Sequence, residues 1–410
     1  MESWSPANVP ALKIGEPVPL SLYDASRQSV EPTEGSSMYV CGITPYDATH
    51  LGHAATMLTF DLVNRIWRDN GLYVEYVQNV TDIDDPLLER AQRDSEDWVV
   101  LAMRETALFR EDMEALRIVP PSYYVGAVES IPTIAEQVAG LLDRDIAYRM
   151  DDGTGDLYYD LSKAPHFGYE SHLTRLEMLD FFAERGGDPG RIGKRDELDP
   201  LLWRGAREGE PAWPGGALGP GRPGWHVECA VIAQTLLGPQ IAVQGGGSDL
   251  LFPHHEMSAA HAESLSGKAP FARHYTHAGM IGLDGEKMSK SKGNLVFVSR
   301  LRADHVDSMA VRLALFADHY RTDREWTDEL LKTAEQRLAR WREAAAARSG
   351  PDGLAVLAAV RAALSRDLDT PAALAAVDAW ADAALAGDGT DESAPDIVKN
   401  AVDTLLGIEL

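Results

Sequence analysis

Residues 38–43, Met-Tyr-Val-Cys-Gly-Ile, form the stretch that decides the fold, and a Thr44-Pro45 turn follows them. A short apolar run that ends at a turn predicts a buried strand. Apolar residues then recur at the spacing of a helix, at Leu58, Leu62 and Ile66. Asn70-Gly71 ends this helix, and residues 74–81 predict a second strand. Strand, helix and strand within about 45 residues form a βαβ unit, so we predict an α/β fold with a parallel, doubly wound sheet.

Chemically reactive residues follow both predicted strands. Cys41 and Thr44 lie at the end of the first strand, and Thr81 lies at the end of the second. Ligands of doubly wound sheets bind beyond the carboxyl ends of the strands. We therefore expect the functional site at this edge of the sheet.

The rest of the chain changes character several times. Residues 85–148 look helical, residues 149–220 are rich in Gly, Asp and Pro with a short strand at 157–159, and the chain after about Ser291 is helical and Ala-rich. We predict an N-terminal extension (1–36), a catalytic sheet domain (37–284) with a connective insertion at about 120–215, a lysine-rich loop with a helical region (285–348), and a C-terminal helical domain (349–410).

The composition indicates an acidic, water-soluble protein. The 64 Asp and Glu residues exceed the 38 Lys and Arg residues and leave a net charge of −26. Because proteins that bind nucleic acids usually present a basic face, this charge argues against a nucleic-acid partner. We see neither a secretion signal nor an apolar run of membrane-spanning length, so we expect a cytoplasmic protein without a membrane partner.

Cysteine occurs only twice, as Cys41 and Cys229. A structural disulfide is not expected in a long cytoplasmic chain. The two residues are either small buried hydrophobic side chains or reactive, metal-binding groups, and this pair of alternatives stays open on the composition alone.

His50-Leu51-Gly52-His53 lies where the first strand gives way to its helix. The backbone N–H groups at a helix N-terminus attract phosphate, and two histidines one turn apart add side-chain donors. Gly52 lacks a side chain, so a flat base could lie against the backbone there. Alone, such a pair is equally consistent with an incidental arrangement or a metal site.

A second loop points to phosphate chemistry. Residues 285–293, Gly-Glu-Lys-Met-Ser-Lys-Ser-Lys-Gly, form a lysine-rich run between glycines. Such a loop can move and bring the Lys287 and Lys290 ammonium groups against a phosphate while negative charge builds on it. The alternative, an exposed basic turn, does not explain the specific order of these residues.

These two motifs together resemble the two signatures of class I aminoacyl-tRNA synthetases. His50 to His53 is similar to the first signature, with Leu51 where Ile is common, and residues 287–291 match the second without change. The resemblance implies a Rossmann-type catalytic domain that activates an amino acid with ATP. It also implies that His50, His53, Lys287 and Lys290 are catalytic, and that Mg²⁺ accompanies ATP.

Further motifs resemble the cysteinyl branch of that family. They are residues 41–47 (Cys-Gly-Ile-Thr-Pro-Tyr-Asp), 224–229 (Gly-Trp-His-Val-Glu-Cys), 245–250 (Gly-Gly-Gly-Ser-Asp-Leu) and 252–256 (Phe-Pro-His-His-Glu). The similarity runs from about residue 18 to about residue 385. It implies a set of residues that bind cysteine and its adenylate, namely Cys41, Gly42, Ile43, Thr44, Thr56, Asn79, Val80, Thr81, Trp225, Gly247, Ser248, Asp249 and Ile281.

The resemblance also implies one zinc ion per chain. Cys41, Cys229 and His254 match three of the four zinc ligands of the family, whereas Ser258 stands where the fourth, a glutamate, is expected. Two thiolates and one imidazole leave one position of a tetrahedral zinc for a substrate. Glu256 is a conceivable replacement ligand, although a helix that begins at His254 would point it elsewhere. His255 and His226 are expected beside the pocket.

Two departures from the synthetase pattern indicate a different acceptor for the cysteine. The chain ends at Leu410, where we expect an anticodon-binding module to be missing, and residues 184–189 read Glu-Arg-Gly-Gly-Asp-Pro. This stretch resembles a hallmark of an offshoot of the family, the cysteine ligases of mycothiol biosynthesis. That resemblance implies ATP, L-cysteine and the amine of glucosaminyl-inositol as substrates.

Other interpretations remain open from the sequence alone. The chief rival is a cysteinyl-tRNA synthetase with a short C-terminus, and a rival of another class is a non-catalytic relative that binds RNA or regulates. Intact phosphate-binding signatures argue against the second rival. We expect a monomer, and the residues that bind the pseudodisaccharide cannot be assigned from the sequence.

Overall fold

The computed structural model describes residues 1–283 and 295–410, together with the backbone of Glu286–Lys287 between them. The strands of this part of the chain are β1 Ser21–Asp24, β2 Ser29–Pro32, β3 Ser37–Ile43, β4 Glu75–Val80, β5 Tyr123–Gly126, β6 Ala147–Arg149, β7 Leu157–Tyr159, β8 Leu201–Gly205, β9 Gly221–Pro223, β10 Ile241–Gly247, β11 Ala272–Ala278, β12 Ile281–Leu283, β13 Glu286–Lys287 and β14 Arg324–Trp326.

The α-helices of the same ranges are interspersed with these strands up to β14, and only helices follow β14. They are α1 Leu51–Asp69, α2 Asp85–Asp94, α3 Trp98–Ala115, α4 Ala127–Asp143, α5 Arg175–Glu184, α6 Trp225–Leu237, α7 Glu256–Ser266, α8 Val298–Ala303, α9 Ser308–Leu315, α10 Asp328–Ala345, α11 Gly353–Leu364, α12 Thr370–Leu385 and α13 Ala394–Leu406. Within the described residues, no helix combines the length and the apolar character needed to cross a membrane.

The central sheet has five strands in the order β11-β10-β3-β4-β5, and every neighbouring pair is parallel. This confirms the prediction of an α/β fold with a parallel, doubly wound sheet. Successive side chains of a strand face opposite sides of a sheet. On β3, Met38 and Val40 pack with α1, whereas Tyr39 and Cys41 pack with residues of α6 and α7. The sheet therefore has a core on each face, and Cys41 faces α6.

The inserted region has a sheet of its own, formed by β6, β7, β8 and β9 in antiparallel pairs. The strand predicted at residues 157–159 is β7, with the same bounds. The central sheet also reaches into the range predicted as insertion, because β5 pairs with β4. The strand β5 has only four residues, and two prolines, Pro120 and Pro121, precede it closely. So short a run lacks the alternation that predicts a strand.

The helical C-terminal region is docked onto α1, the helix that follows the first histidine motif. Asp61 and Arg65 of α1 form a buried ion pair of 2.7 Å, and Arg312 of α9 also pairs with Asp61. Both arginines donate to backbone carbonyls at the end of α13: Arg65 to Asp403 at 2.9 Å, and Arg312 to Leu406 at 2.5 Å. Carbonyls in the last turn of a helix lack partners inside it, so these arginines cap α13.

Candidate metal and substrate site

The three predicted metal ligands come from three different elements and meet at one point. Cys41 lies near the end of β3, Cys229 lies on α6, and His254 lies just before α7. All three side chains are buried, and their ligand atoms lie within 4.8 Å of one another. Metal sites need such a convergence of donors from distant parts of the chain.

A break in the helix places His254. Residues 251–255 coil as a wide turn ahead of α7, but Phe252 leaves the helical conformation with φ −140° and ψ 136°. The next residue, Pro253, has no N–H to donate. Beyond the break the ring of His254 stacks on Trp225 with centroids 4.1 Å apart, and the ring of His255 lies against His277 instead. Neighbouring histidines thus face different sides of the site.

The donors at this point fit a zinc ion. The Nδ1 atom of His254 lies 3.0 Å from Nδ1 of His226, while its buried Nε2 has no hydrogen-bond partner among the described residues. A buried nitrogen without a partner is costly unless something binds it. If Nε2 holds a metal, Nδ1 carries the proton and donates it to His226, which fixes the ring. Two sulfurs and one imidazole nitrogen are the donors that zinc prefers.

The thiols of Cys41 and Cys229 have pKa values that are shifted in opposite directions. Burial raises the pKa of the Cys41 thiol well above its usual value, and the neighbouring Cys229 adds to this rise. Burial also opposes ionisation of Cys229, but hydrogen bonding from Cys41 and the effect of His254 outweigh it and hold the pKa of Cys229 well below its usual value. One sulfur of the pair is therefore readily ionised, as metal binding requires.

Ser258 and Glu256, the two residues considered for a fourth ligand, are occupied elsewhere. The Ser258 hydroxyl donates to the backbone carbonyl of His226 at 3.0 Å. The Glu256 carboxylate accepts the backbone N–H groups of Gly168 and Ser171, each at 2.8 Å. Glu256 thus holds a turn of the inserted region, in agreement with the expectation that it points away from the metal. Among the residues that the structure describes, three donors meet at this point.

A second layer of residues surrounds Cys41, and sequence reasoning assigned only part of it. The Nε2 atom of His255 lies 3.2 Å from the Cys41 sulfur, and its Nδ1 atom lies 2.8 Å from Nε2 of His277. Glu170 of the inserted region faces both rings, with Oε1 3.7 Å from His277 Nε2 and 4.0 Å from His255 Nδ1. His277 and Glu170 carry no motif of their own, so no sequence signal pointed to them.

Glu170 is fully enclosed in this layer. Burial, reinforced by the charges of Glu256 and Asp24, raises the pKa of its carboxyl well above the usual range. Neither carboxyl oxygen has a hydrogen-bond partner in the part of the chain that the structure describes. This environment therefore favours the protonated form of the Glu170 carboxyl over the carboxylate.

His50 and His53 lie at the N-terminus of α1, as expected. His50 is the N-cap residue, its Nδ1 accepts the N–H of Gly52 at 3.1 Å, and the His50 and His53 rings stack 3.8 Å apart. The N–H of Leu51 donates to the carbonyl of Val296 at 2.9 Å. Two of the first N–H groups of the helix are thus already used within the protein and are not available to a phosphate.

Gly52 lies in close contact with the ring of His50. A Cβ atom added to Gly52 would lie 2.8 Å from Cε1 of His50, so the ring of His50 covers that side of the glycine. The expectation that a flat base lies against the backbone of Gly52 stays a prediction.

Gly42, Asn79 and Thr81 form a connected group at the ends of β3 and β4. Asn79 accepts the Gly42 N–H at 2.9 Å and donates to the Thr81 hydroxyl at 3.1 Å. A Cβ on Gly42 would lie 1.7 Å from the Asn79 carbonyl oxygen, so only glycine fits. The backbone of Thr44 is used locally, because its carbonyl accepts the N–H of Tyr46 at 2.9 Å.

Thr56, Gly247 and Asp249 form a second group between α1 and β10. The Thr56 hydroxyl donates to the Gly52 carbonyl at 3.2 Å. A Cβ on Gly247 would lie 2.7 Å from Oδ1 of Asp249 and 3.7 Å from the Thr56 hydroxyl. Gly247 ends β10, and Ser248 and Asp249 begin the short 3₁₀ turn that follows it. These residues lie beyond the carboxyl end of a central strand, where a ligand is expected.

The remaining predicted residues do not join these groups through their side chains. Ile43, Val80 and Ile281 are buried in the large core that contains α1. The backbone of Lys287 belongs to β13, which pairs with β12. The Lys287 side chain and all of Lys290 lie outside the described residues.

Comparison with known proteins identifies the catalytic domain and the wider family. Residues 28–336 match the family described as the tRNA synthetases class I (C) catalytic domain. A protein of Salinispora arenicola (strain CNS-205), named L-cysteine:1D-myo-inositol 2-amino-2-deoxy-alpha-D-glucopyranoside ligase, is 69% identical over 100% of both chains. The chain belongs to this cysteine ligase family, a branch of the class I synthetases.

More distant comparisons agree with the family and the fold. A protein of Rhodococcus erythropolis (strain PR4 / NBRC 100887) with the same ligase name is 60% identical over 100% of both chains. The structure of Mycobacterium tuberculosis methionyl-tRNA synthetase in complex with methionyl-adenylate is 16% identical and superposes with a TM-score of 0.65, covering 91% of this chain and 92% of that one. The second likeness shows the Rossmann-type fold alone.

Proposed function

We propose that the protein joins L-cysteine to the amine of glucosaminyl-inositol in an ATP-dependent, AMP-forming reaction through a cysteinyl-adenylate. The observation that carries this proposal is full-length identity of 60–69% to proteins named for this ligation. The acidic charge of −26 also favours a small acceptor over tRNA. In this reaction an amide bond forms, and AMP and pyrophosphate leave.

Cys41, Cys229 and His254 would hold the metal, and zinc is the ion that fits two sulfurs and an imidazole. Bound zinc would supply a Lewis acid that favours the ionised form of a thiol. Cysteine would be distinguished from serine on this basis, because the hydroxyl of serine ionises far less readily. The orphaned Nε2 of His254 and the readily ionised Cys229 support this assignment.

The chain's own residues would orient cysteine beside the metal ligands. Thr81, Trp225 and Asp249 are proposed to fix its amine and backbone. Trp225 already stacks on His254, and Thr81 is held by Asn79 at the end of β4. These residues would hold cysteine in a single orientation. In that orientation its carboxylate can attack the α-phosphorus of ATP.

The first half-reaction forms the adenylate and expels pyrophosphate. His50 and His53 stack at the start of α1 and present imidazole donors to the phosphates. Lys287 and Lys290 are proposed to add positive charge as the phosphorus is attacked. Mg²⁺ would accompany ATP, as in the class I family, and no protein ligand for it is assigned.

The second half-reaction forms the amide. The unprotonated amine of the sugar attacks the carbonyl carbon of the adenylate, a C–N bond forms, and the C–O bond to AMP breaks. The amine loses one proton, and Asp249 is the residue proposed to accept it. An amine in its free-base form is already a good nucleophile, so the proposal does not require an obligatory base.

The proposal can be tested by incubating the purified protein with ATP, cysteine and one of two acceptors. The acceptors are glucosaminyl-inositol and tRNA. We expect the amide of cysteine and the sugar, with one AMP per amide, and no cysteinyl-tRNA. Charging of tRNA without amide formation would contradict the proposed acceptor. A failure of cysteine to promote ATP–pyrophosphate exchange would contradict cysteine activation itself.

A further inference from the structure

Arg185, in the Glu-Arg-Gly-Gly-Asp-Pro stretch of the inserted region, contacts the segment that carries the metal-ligating histidine. One guanidinium nitrogen, Nη1, donates to the backbone carbonyl of Asp249 at 2.6 Å and also to that of Phe252. The guanidinium lies over the ring of Phe181, 4.5 Å from its centroid. A side chain of the insertion thus binds the backbone at both ends of the 249–252 turn.

The two carbonyls need a donor from outside their own segment. In a regular helix the carbonyl of Asp249 would accept the N–H of residue 253, but that residue is Pro253 and has none. The carbonyl of Phe252 would accept the N–H of Glu256, which instead donates to Leu251 and Pro253. Arg185 supplies the donors that this broken helix lacks, and a charged donor makes the stronger kind of hydrogen bond.

The residues that follow Arg185 in the chain fix the position of its backbone. Gly186 follows α5 with φ +87°, and a Cβ on Gly187 would lie 2.3 Å from the ring of Phe182. The Asp188 carboxylate accepts the hydroxyl of Tyr158 and the ammonium of Lys194, the latter at 3.0 Å. Gly186, Gly187 and Asp188 therefore anchor Arg185 to the sheet of the inserted region.

The same segment is already packed by apolar side chains. Phe252 belongs to a cluster with Met178 and Phe182 of α5, and Met257 of α7 completes the contact. Loss of the Arg185 guanidinium would leave this packing in place. Its specific contribution is therefore the path of the backbone from Asp249 to His254, not the attachment of α5.

We infer that Arg185 is a positioning residue, which sets the 249–254 backbone and thereby makes metal binding and cysteine capture depend on the inserted region. Residue 249 is proposed to bind the substrate, and residue 254 to bind the metal, so a shift of the turn moves both. ATP is expected to bind at the His50–His53 end of α1, which Arg185 does not contact. The kinetic part of the inference rests on the proposed function, whereas the metal-affinity part does not.

The test compares three full-length variants with the wild type: Arg185→Met, Arg185→Lys and Arg175→Met. Met keeps the apolar stem against Phe181 and removes the donors, and Lys restores one cationic donor. Arg175 is the matched control, because it lies on the same helix and pairs with Asp196 and Glu197 at the surface, at 3.1 and 3.3 Å. The readouts are the zinc dissociation constant by chelator competition and the KM values in ATP–pyrophosphate exchange.

For Arg185→Met we expect zinc to bind about 10–100-fold more weakly, as for lost outer partners of metal ligands. The KM for cysteine should rise at least about tenfold while the KM for ATP changes less than about twofold. Arg185→Lys should recover part of both losses, and Arg175→Met should match the wild type.

Zinc affinity of Arg185→Met equal to that of the wild type would overturn the inference. Equal rises in the two KM values, unimproved by Arg185→Lys, would also overturn it, because they indicate general loss of structure. If the wild type itself shows no cysteine-dependent exchange, the proposed function fails, and the zinc affinities alone decide the role of Arg185.

Discussion

The Nε2 atom of His255 lies 3.2 Å from the sulfur of Cys41, although 214 residues separate the two in sequence. A ring N–H donated to a metal-bound thiolate stabilises the thiolate and orients the ligand. His255 is in turn held by His277 at 2.8 Å. The candidate metal site thus has supporting residues behind Cys41. His226 plays the same part behind His254.

Replacement of His255 by Phe should weaken zinc binding without removing a ligand. We expect the zinc dissociation constant to rise about 10–100-fold, because the thiolate of Cys41 loses its ring donor. Chelator competition measures this change directly. The control is His166→Phe at an exposed position of the inserted region, which should leave the affinity unchanged. Equal affinities of His255→Phe and the wild type would show that the contact does not support the metal.

Replacement of Cys229 by Ala should remove the metal and most of the activity. One of three protein donors is lost, and we expect zinc content to fall well below one per chain and exchange activity to fall at least about 100-fold. Elemental analysis of the purified protein measures the metal. Ser258→Ala is the matched control: its hydroxyl is bonded to His226, so zinc content should not change. Full zinc occupancy in Cys229→Ala would mean that the metal lies elsewhere.

Replacement of Gly42 by Ala should destabilise the fold next to the site. The new Cβ would lie 1.7 Å from the carbonyl oxygen of Asn79, and relief of such overlap costs about 1–3 kcal/mol or more in the free energy of unfolding. Denaturant titration measures the loss. Gly140→Ala is the control, since Gly140 lies in α4 with nothing within 4 Å of the new Cβ. That change should instead stabilise the protein by about 0.5–1 kcal/mol. Stability equal to the wild type in Gly42→Ala would contradict the tight approach of the two strand ends.

Replacement of Asp61 by Asn should loosen the attachment of the C-terminal helices. Burial opposes ionisation of Asp61, but the charges of Arg312 and Arg65 outweigh it and hold its pKa below the usual value. We expect a loss of about 3–5 kcal/mol in the free energy of unfolding at pH 7, because two buried arginines lose their counter-ion. Urea titration measures it, and Asp94→Asn on the surface should leave the free energy of unfolding close to that of the wild type.

The same residue predicts a pH dependence. Because its folded-state pKa lies below the unfolded value of about 3.9, Asp61 stabilises the protein at neutral pH, and this contribution is lost as pH falls below about 4. The difference in stability between the wild type and Asp61→Asn should therefore be constant from pH 7 to pH 5 and shrink in stronger acid. A difference that grows on acidification would contradict the assigned direction of the pKa.

Local patterns predicted the core of the fold, whereas the three metal donors were implied by the resemblance to the cysteinyl branch of the synthetases. The parallel sheet followed from the run at residues 38–43 and the periodic helix after it, and β7 was found where its short apolar run lies. The strand β5 was missed because its four residues follow two prolines and gain their strand conformation only by pairing with β4. Tertiary pairing decides such short runs.

The second layer of the site could not be predicted for a related reason. Glu170 and His277 reach His255 only after the inserted region and β11 pack against α7, and nothing in their own neighbourhoods marks them. Similarly, nothing in the Gly- and Pro-containing residues 184–189 themselves indicates what Arg185 contacts. Its contacts with Asp249 and Phe252 depend on a break in a helix more than 60 residues away, at sequence separations of 64 and 67.

The most direct test of the account is the zinc coordination shell measured by X-ray absorption on the purified protein, with and without cysteine. Three protein donors, Cys41, Cys229 and His254, predict two sulfur neighbours at about 2.3 Å in the free enzyme and three with cysteine bound. Serine at the same concentration should leave the count at two. A sulfur count that does not rise with saturating cysteine would contradict the claim that the metal binds the substrate thiol.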